Sequence, residues 1–219
     1  MSQPAVSNAG SAKLHRGFAG LSEGLAKLEK LLLLDQEMND EDRARGYIYL
    51  LGMQKWYVDL CFQGYDRARP RSVRFHDEVF KFGSGNPDNA KYAAEIHPGT
   101  EYVIRGTRGT SSDICIETRT GMGRREDNIH TETIDVIDGD AIRVEADGSF
   151  EIRIGGEQRE GVNYLATRDD ATVVFVRQTL ADWDKETLGV FTIEKVGPAL
   201  PRAPPADPET VAARLGDIA

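Results

Sequence analysis

The sequence predicts an α+β protein: two α-helices, then a mainly antiparallel β-sandwich, then a short terminal helix. Three observations carry this. Apolar residues recur at helical spacing up to about residue 65, and they alternate at strand spacing from residue 72 to residue 196. Gly and Asp turns separate the strand-like runs, with no helical pattern between them, which favours a sandwich over a parallel sheet.

Residues 1–11 read as disordered. They are polar and lack the basic and apolar regions of a signal peptide. The helical pair then occupies residues 12–65. In its first helix Leu14, Phe18, Leu21, Leu25, Leu28 and Leu32 follow one another at alternating steps of four and three, which sets them on one stripe. The stripe is short of the three or four heptads of a coiled coil. It either packs within the chain or forms a homo-oligomer seam. The second helix starts at Asn39, a capping residue, and Asp40, Glu41 and Asp42 suit the positive end of a helix dipole. Tyr47, Leu50, Leu51, Gln54, Val58 and Cys61 are expected on its buried side, widened by Trp56, Tyr57 and Phe62.

The sandwich is expected over residues 72–196. Asn86-Pro87-Asp88-Asn89 is a turn: proline fixes φ, the residue before it leaves the helical region, and Asp and Asn bond their own backbone. Strands are predicted at residues 91–96 and 102–104, with a tight turn or bulge between Gly106 and Gly109. Ile114 and Ile116 alternate with polar neighbours. So do Ile142, Val144 and Ala146, and Phe150, Ile152 and Ile154, with Asp147-Gly148 as a hairpin tip between these two runs. Ile142, Val144, Phe150 and Ile152 should share the buried side. Residues 172–176 form an apolar run suited to a central strand, and residues 190–194 add another. Residues 197–206 read as a Pro-rich linker, and Asp207-Pro208 starts a short helix within residues 207–219.

Ordered motifs in this frame resemble a bacterial family known as domain of unknown function twelve-fourteen. They are residues 42–51, Lys81-Phe82-Gly83, Asn86-Pro87-Asp88-Asn89, residues 102–110, Asp147-Gly148-Ser149-Phe150, Val176-Arg177-Gln178 and Asp182-Trp183-Asp184. The resemblance spans about residues 40–196. It implies a sandwich of jelly-roll type and no established catalytic residues. Asn163-Tyr164 stands where the resemblance leads one to expect Asn-Trp, and relatives run on into further helices beyond the point where this chain ends at Ala219.

Composition narrows the function. The chain has 219 residues, a net charge of −9 and 40% hydrophobic residues. That suits a soluble protein with one core and argues against a nucleic-acid surface. There is no apolar stretch long enough for a membrane span. Cys61 and Cys115 are expected as reduced thiols in a cytoplasmic protein. No phosphate loop, dinucleotide fingerprint or nucleophile elbow is present. His15, His76, His97 and His130 lie far apart, so no metal and no cofactor are expected. His76 with Asp77 and Glu78 reads as a solvated charge run. Asp135, Asp138 and Asp140 lack the spacing of a calcium loop.

The candidate ligand site is Asp88, Asn89, Arg105, Arg108, Arg177, Asp182 and Trp183. Arg105 and Arg108 either reach solvent, pair with an acid such as Asp88, or bind an anion. Trp183 between two carboxylates either stacks on a polar ligand or seals a sheet edge. Two functional classes stay open: a binding or accessory module for a small polar or anionic organic ligand, and a cofactor-independent enzyme using Asp88, Arg105, Arg108 or His97. A third is an assembly protein that oligomerises through the leucine stripe.

Overall fold

The computed structural model describes residues 8–63, 66–76, 85–121, 131–198 and 207–218. The expectations for residues 1–7, Lys81-Phe82-Gly83, Asp77, Glu78, His130, most of the Pro-rich segment and Ala219 lie outside them. The chain divides into two compact units, residues 1–62 with 201–219, and residues 63–200.

The first unit is helical. Helix α1 runs Asn8–Leu34, so it begins four residues before the predicted helical segment. Helix α2 runs Asp40–Val58, and a π-helical turn, Asp59–Gln63, follows it. Asn39 caps α2 as expected: its side chain accepts from the Asp42 N–H, and the Asp42 carboxylate accepts from the Asn39 N–H. Helix α3 runs Pro208–Ile218. It is capped by the Asp207 carboxylate, which accepts the Thr210 N–H at 2.8 Å and its hydroxyl at 2.7 Å. Helix α3 lies along α1, where a Cβ on Gly17 would come within 2.9 Å of Leu215 Cβ. Leu32 rests on Gly46 of α2 in the same way, 2.7 Å from a Cβ there.

The leucine stripe is therefore used inside the chain at Leu14, Leu21, Leu25 and Leu32, which are half-buried, while Phe18 and Leu28 stay exposed. On α2 the expected side is buried only in part: Trp56 and Cys61 are buried and Leu50, Gln54 and Tyr57 half-buried, but Leu51 is 67% exposed and Tyr47 and Val58 are exposed too. Apolar residues lie all round this helix, so periodicity could not choose a face.

The second unit contains two sheets. Its strands are β1 (Val73–His76), β2 (Asn89–Glu95), β3 (Tyr102–Thr107), β4 (Asp113–Arg119), β5 (Thr133–Asp138), β6 (Ser149–Ile154), β7 (Asn163–Leu165), β8 (Val173–Thr179) and β9 (Val190–Lys195). One sheet has the order β1-β2-β8-β4-β5 and the other β7-β6-β3-β9. All pairings are antiparallel except the short parallel pair β6–β7. Both sheets contribute to one core: Ala94, Ile114, Ile116, Val174 and Val176 from the first, Tyr102, Ile104, Phe150, Ile152, Ile154, Leu165 and Ile193 from the second. The apolar run at β8 is central to its sheet, as its composition requires.

Two predicted elements are corrected. Residues 142–146 form no strand; Ile142 is buried but Val144 is 39% exposed. The side chain of Asn163 takes the place of a strand partner, accepting from the Arg143 N–H and donating to the Arg143 and Glu151 carbonyls at 2.8–2.9 Å. Asp147-Gly148 does form a turn, with Gly148 at φ +84°. The second correction is at Gly106, where β3 continues straight instead of turning. Glycine is needed there because β9 passes too close for a side chain: a Cβ would lie 2.3 Å from the Val190 carbonyl.

Candidate functional site

The seven predicted site residues do not converge. Arg105 points outward from the four-stranded sheet, between β6 and β9, and donates to Glu151 at 2.8 Å and Glu194 at 3.0 Å. Asp88 is therefore not its partner. Arg177 lies on β8 in the other sheet, facing outward opposite Lys91 and Cys115. Alternation along strands of different sheets sends these two arginines to opposite surfaces.

Arg108, Asp88, Asn89, Asp182 and Trp183 do share one end of the sandwich. There Arg108 donates to the Ser111 carbonyl and hydroxyl at 3.0 and 2.8 Å. The Ser111 hydroxyl reaches the fully buried Gln178, whose amide grips Gly189 through both its N–H, at 2.6 Å, and its carbonyl, at 3.0 Å. Glu186 accepts from the Ser112 N–H and hydroxyl and from the Ala181 N–H. The Ser112 hydrogen bond holds the Glu186 carboxyl below its usual range. Buried Asn89 accepts from the Thr179 hydroxyl at 3.0 Å, and the Asp88 carbonyl takes the Leu180 N–H. Asp182 is bound by Lys185, and Trp183 is half-buried in the same turn. Gln178 and Glu186 fasten one loop to another, Asn89 ties β2 to β8, and the Arg108–Ser111 and Asp182–Lys185 contacts tighten single turns. The network fits a structural clasp.

The other predicted polar residues are also placed. His97 Nδ1 lies 2.8 Å from the Pro98 carbonyl at an exposed turn. Asp135 binds the Val136 and Ala166 N–H groups, on strand β5, which the sequence reading did not foresee. Both cysteines are free and buried, and burial pushes the Cys115 thiol up to about 11, against a smaller opposing pull from Arg177. Among the described residues no group of three or more His, Cys, Asp or Glu side chains could hold a metal ion. Among the same residues no helix is long and apolar enough to cross a membrane.

A cleft opens at the opposite end of β9. It has a volume of about 520 Å³ and is lined by Ala68, Arg69, Pro70, Arg71, Ile193, Glu194, Lys195, Gly197 and Pro198. Residues 66–71 build its outer wall. Asp66 starts them with an Asx turn, accepting from the Ala68 N–H at 3.0 Å and from the Arg69 guanidinium at 2.7 Å. The wall is pinned to the sandwich twice. The buried Tyr102 hydroxyl donates to the Arg67 carbonyl at 2.8 Å and accepts the His97 N–H at 2.9 Å; burial raises this phenol above its ordinary value. Arg67 Nε donates to the buried carboxylate of Glu95 at 3.2 Å.

With Arg67 committed inward and Arg69 tied to Asp66, Arg71 and Lys195 remain as exposed cations on the cleft. Pro70, Ile193 and Pro198 supply its apolar walls, and the Glu194 carboxylate accepts from Arg105. A second hollow of about 390 Å³, lined by Gly99, Thr100, Glu101, Lys195 and Val196, adjoins it at Lys195. The sequence signal was present: Asp66-Arg67-Ala68-Arg69-Pro70-Arg71 packs three arginines into five positions just ahead of the first strand. It was passed over because it sits between recognised elements and matches no catalytic motif.

No family model matches the sequence, and no curated protein does. Among solved structures, an uncharacterised protein from Burkholderia cenocepacia superposes over 95% of this chain with a TM-score of 0.83 at 25% sequence identity. The chain spans 57% of that protein's length. The VPA0106 protein from Vibrio parahaemolyticus aligns with 75% of this chain and 47% of its own, at a TM-score of 0.40 and 12% identity. The fold is thus one that a bacterial protein also adopts.

Proposed function

We propose that this chain is a binding or accessory module, and that the basic cleft beside β9 takes a small anionic organic ligand. The carrying observation is the pairing of Arg71 and Lys195, both exposed, with the apolar walls Pro70, Ile193 and Pro198 in a hollow of ligand size. Two cations recognise a carboxylate or phosphate by charge-assisted hydrogen bonds, and the prolines and isoleucine accept an apolar body. The nine lining residues include no His, Cys, Ser, Thr or Tyr, which favours binding over acid–base or nucleophilic chemistry. A cytoplasmic setting and membership of the domain of unknown function twelve-fourteen family, with its jelly-roll subclass, belong to the same proposal. Their support is the pair of reduced thiols and the fall of the family-like motifs on β3, its following loop and β8.

Calorimetric titration with citrate, a phosphate monoester and a neutral polyol tests the ligand class. The two anions should bind and the polyol should not. Arg71→Ala and Lys195→Ala should each weaken binding about tenfold or more, the loss expected when a charge-assisted hydrogen bond is removed. Equal binding of the polyol, or indifference to both variants, overturns the reading.

A further inference from the structure

We propose that the open edge of β9 docks an extended acidic peptide segment, which adds a strand to the four-stranded sheet and lays its carboxylates on Arg71 and Lys195. This rests on the cleft assigned above and extends its ligand from a small anion to a peptide.

Strand β9 ends the order β7-β6-β3-β9, so only β3 bonds to it within the sheet. The Val196 N–H donates to the Glu101 carbonyl at 2.9 Å, and the register pairs Glu194 with Val103 and Thr192 with Arg105. Antiparallel ladders alternate between bonded and non-bonded residues. Glu194 and Thr192 therefore bond to β3, and the N–H and C=O groups of Phe191, Ile193 and Lys195 face away from it. Among the described residues no turn or loop backbone group bonds to these outward groups. Val190, Thr192, Glu194 and Lys195 are exposed, Val190 at 71%, while Phe191 is half-buried and the Ile193 side chain enters the core. Of the other edge strands, β7 has three residues and β1 four, against six in β9; β5 also has six, but it carries Asp135 and Asp138, which repel an acidic segment.

The cleft sits on this edge. Its floor is Ile193, Glu194 and Lys195, and its facing wall is the Arg69-Pro70-Arg71 segment. An incoming strand would lie about 4.8 Å from β9 and satisfy the outward groups, the geometry of strand addition. Main-chain bonds of that kind give affinity without selecting sequence, so selection falls to the flanking side chains. Arg71 and Lys195 select for acids. Glu194, held on the outer face by Arg105, does not oppose them.

The experiment uses the full chain and a fluorescent hexapeptide alternating Glu with Val. Affinity is read by anisotropy and amide protection by hydrogen exchange. The peptide should bind, and the amides of Phe191, Ile193 and Lys195 should exchange at least tenfold more slowly in its presence. N-methylation of alternate peptide residues in one register should weaken binding tenfold or more, and in the other register should not. Arg71→Glu and a Lys-for-Glu peptide should each abolish binding. If citrate binds but the peptide does not, or the peptide binds without protecting those amides, strand addition is overturned while the anion cleft stands. If neither binds, both fall. A dimer whose three amides are already protected would show that a second copy takes the edge, and would overturn the proposal.

Discussion

Gly106 and Arg105 are neighbours on β3 with opposite demands. The strand must run flat against β9, so position 106 has no room: an added Cβ would meet the Val190 carbonyl at 2.3 Å and Phe191 Cβ at 2.7 Å, both backbone-anchored. Gly106→Ala should cost about 2–3 kcal/mol in urea unfolding, the scale of an overpacked core. A loss below about 0.5 kcal/mol would mean that β9 slides freely. Arg105 sits in the open, 48% exposed at its side chain, in a ladder with Glu151, Glu194 and Arg153. Exposed ion pairs are screened and carry an entropy cost, so Arg105→Ala should cost less than about 1 kcal/mol in urea unfolding. A loss above about 2 kcal/mol would mean that the ladder is shielded from solvent. The sequence could show that two arginines and two glycines lie close together. It could not show that one glycine is a contact residue and that its arginine neighbour faces away from the cleft.

Asn163 shows how an element can be built by a side chain. One amide satisfies three backbone groups, the Arg143 N–H and the Arg143 and Glu151 carbonyls, so residues 142–145 stay extended without joining a ladder. Asn163→Ala should cost about 2–4 kcal/mol, because unpaired buried backbone groups lose water without gaining a partner. A change under 1 kcal/mol would show that water replaces the amide. Elements with local signals were legible. Asn39 with Asp42 announced α2, Asp207 announced α3, and the apolar run of β8 announced a central strand. Strand β5 was missed because its acids, Asp135 and Asp138, interrupt the apolar alternation, and Asp135 serves backbone N–H groups. Sequence distance also hid the partner of α3, which meets α1 across more than 190 positions at Lys13 and Glu209.

Over the whole molecule, pH should bound stability from both sides. Glu186, Asp182, Asp147, Glu132 and Asp207 are held below their usual ranges, chiefly by hydrogen bonds to Ser112, Lys185, Ser149, Arg168 and Thr210 respectively. Carboxyls with depressed folded values contribute stability above their unfolded values and lose it as pH falls through the folded ones. Thermal melting should therefore decline below about pH 4. Cys115 acts in the other direction. Burial raises its thiol from 9 to about 11, so its contribution is complete below 9 and is lost as pH rises to about 11. Cys115→Ser should shallow that alkaline decline. A melting temperature flat between pH 3 and 5, or an alkaline limb identical in the serine variant, would contradict these assignments.

Periodicity and turn chemistry by themselves determined an α+β chain with helices first, strands alternating inward and outward, and a terminal helix capped by Asp207. These are local properties, set by residues within one turn or one strand of each other. Only the tertiary structure decided which strands lie at an edge, that Arg105 and Arg177 face outward from different sheets, and that Arg71 meets Lys195 across a cleft. Those facts depend on register and sheet order over more than a hundred residues. No local pattern carries them, because the free energy that selects them comes from burying both sheets' inner faces at once.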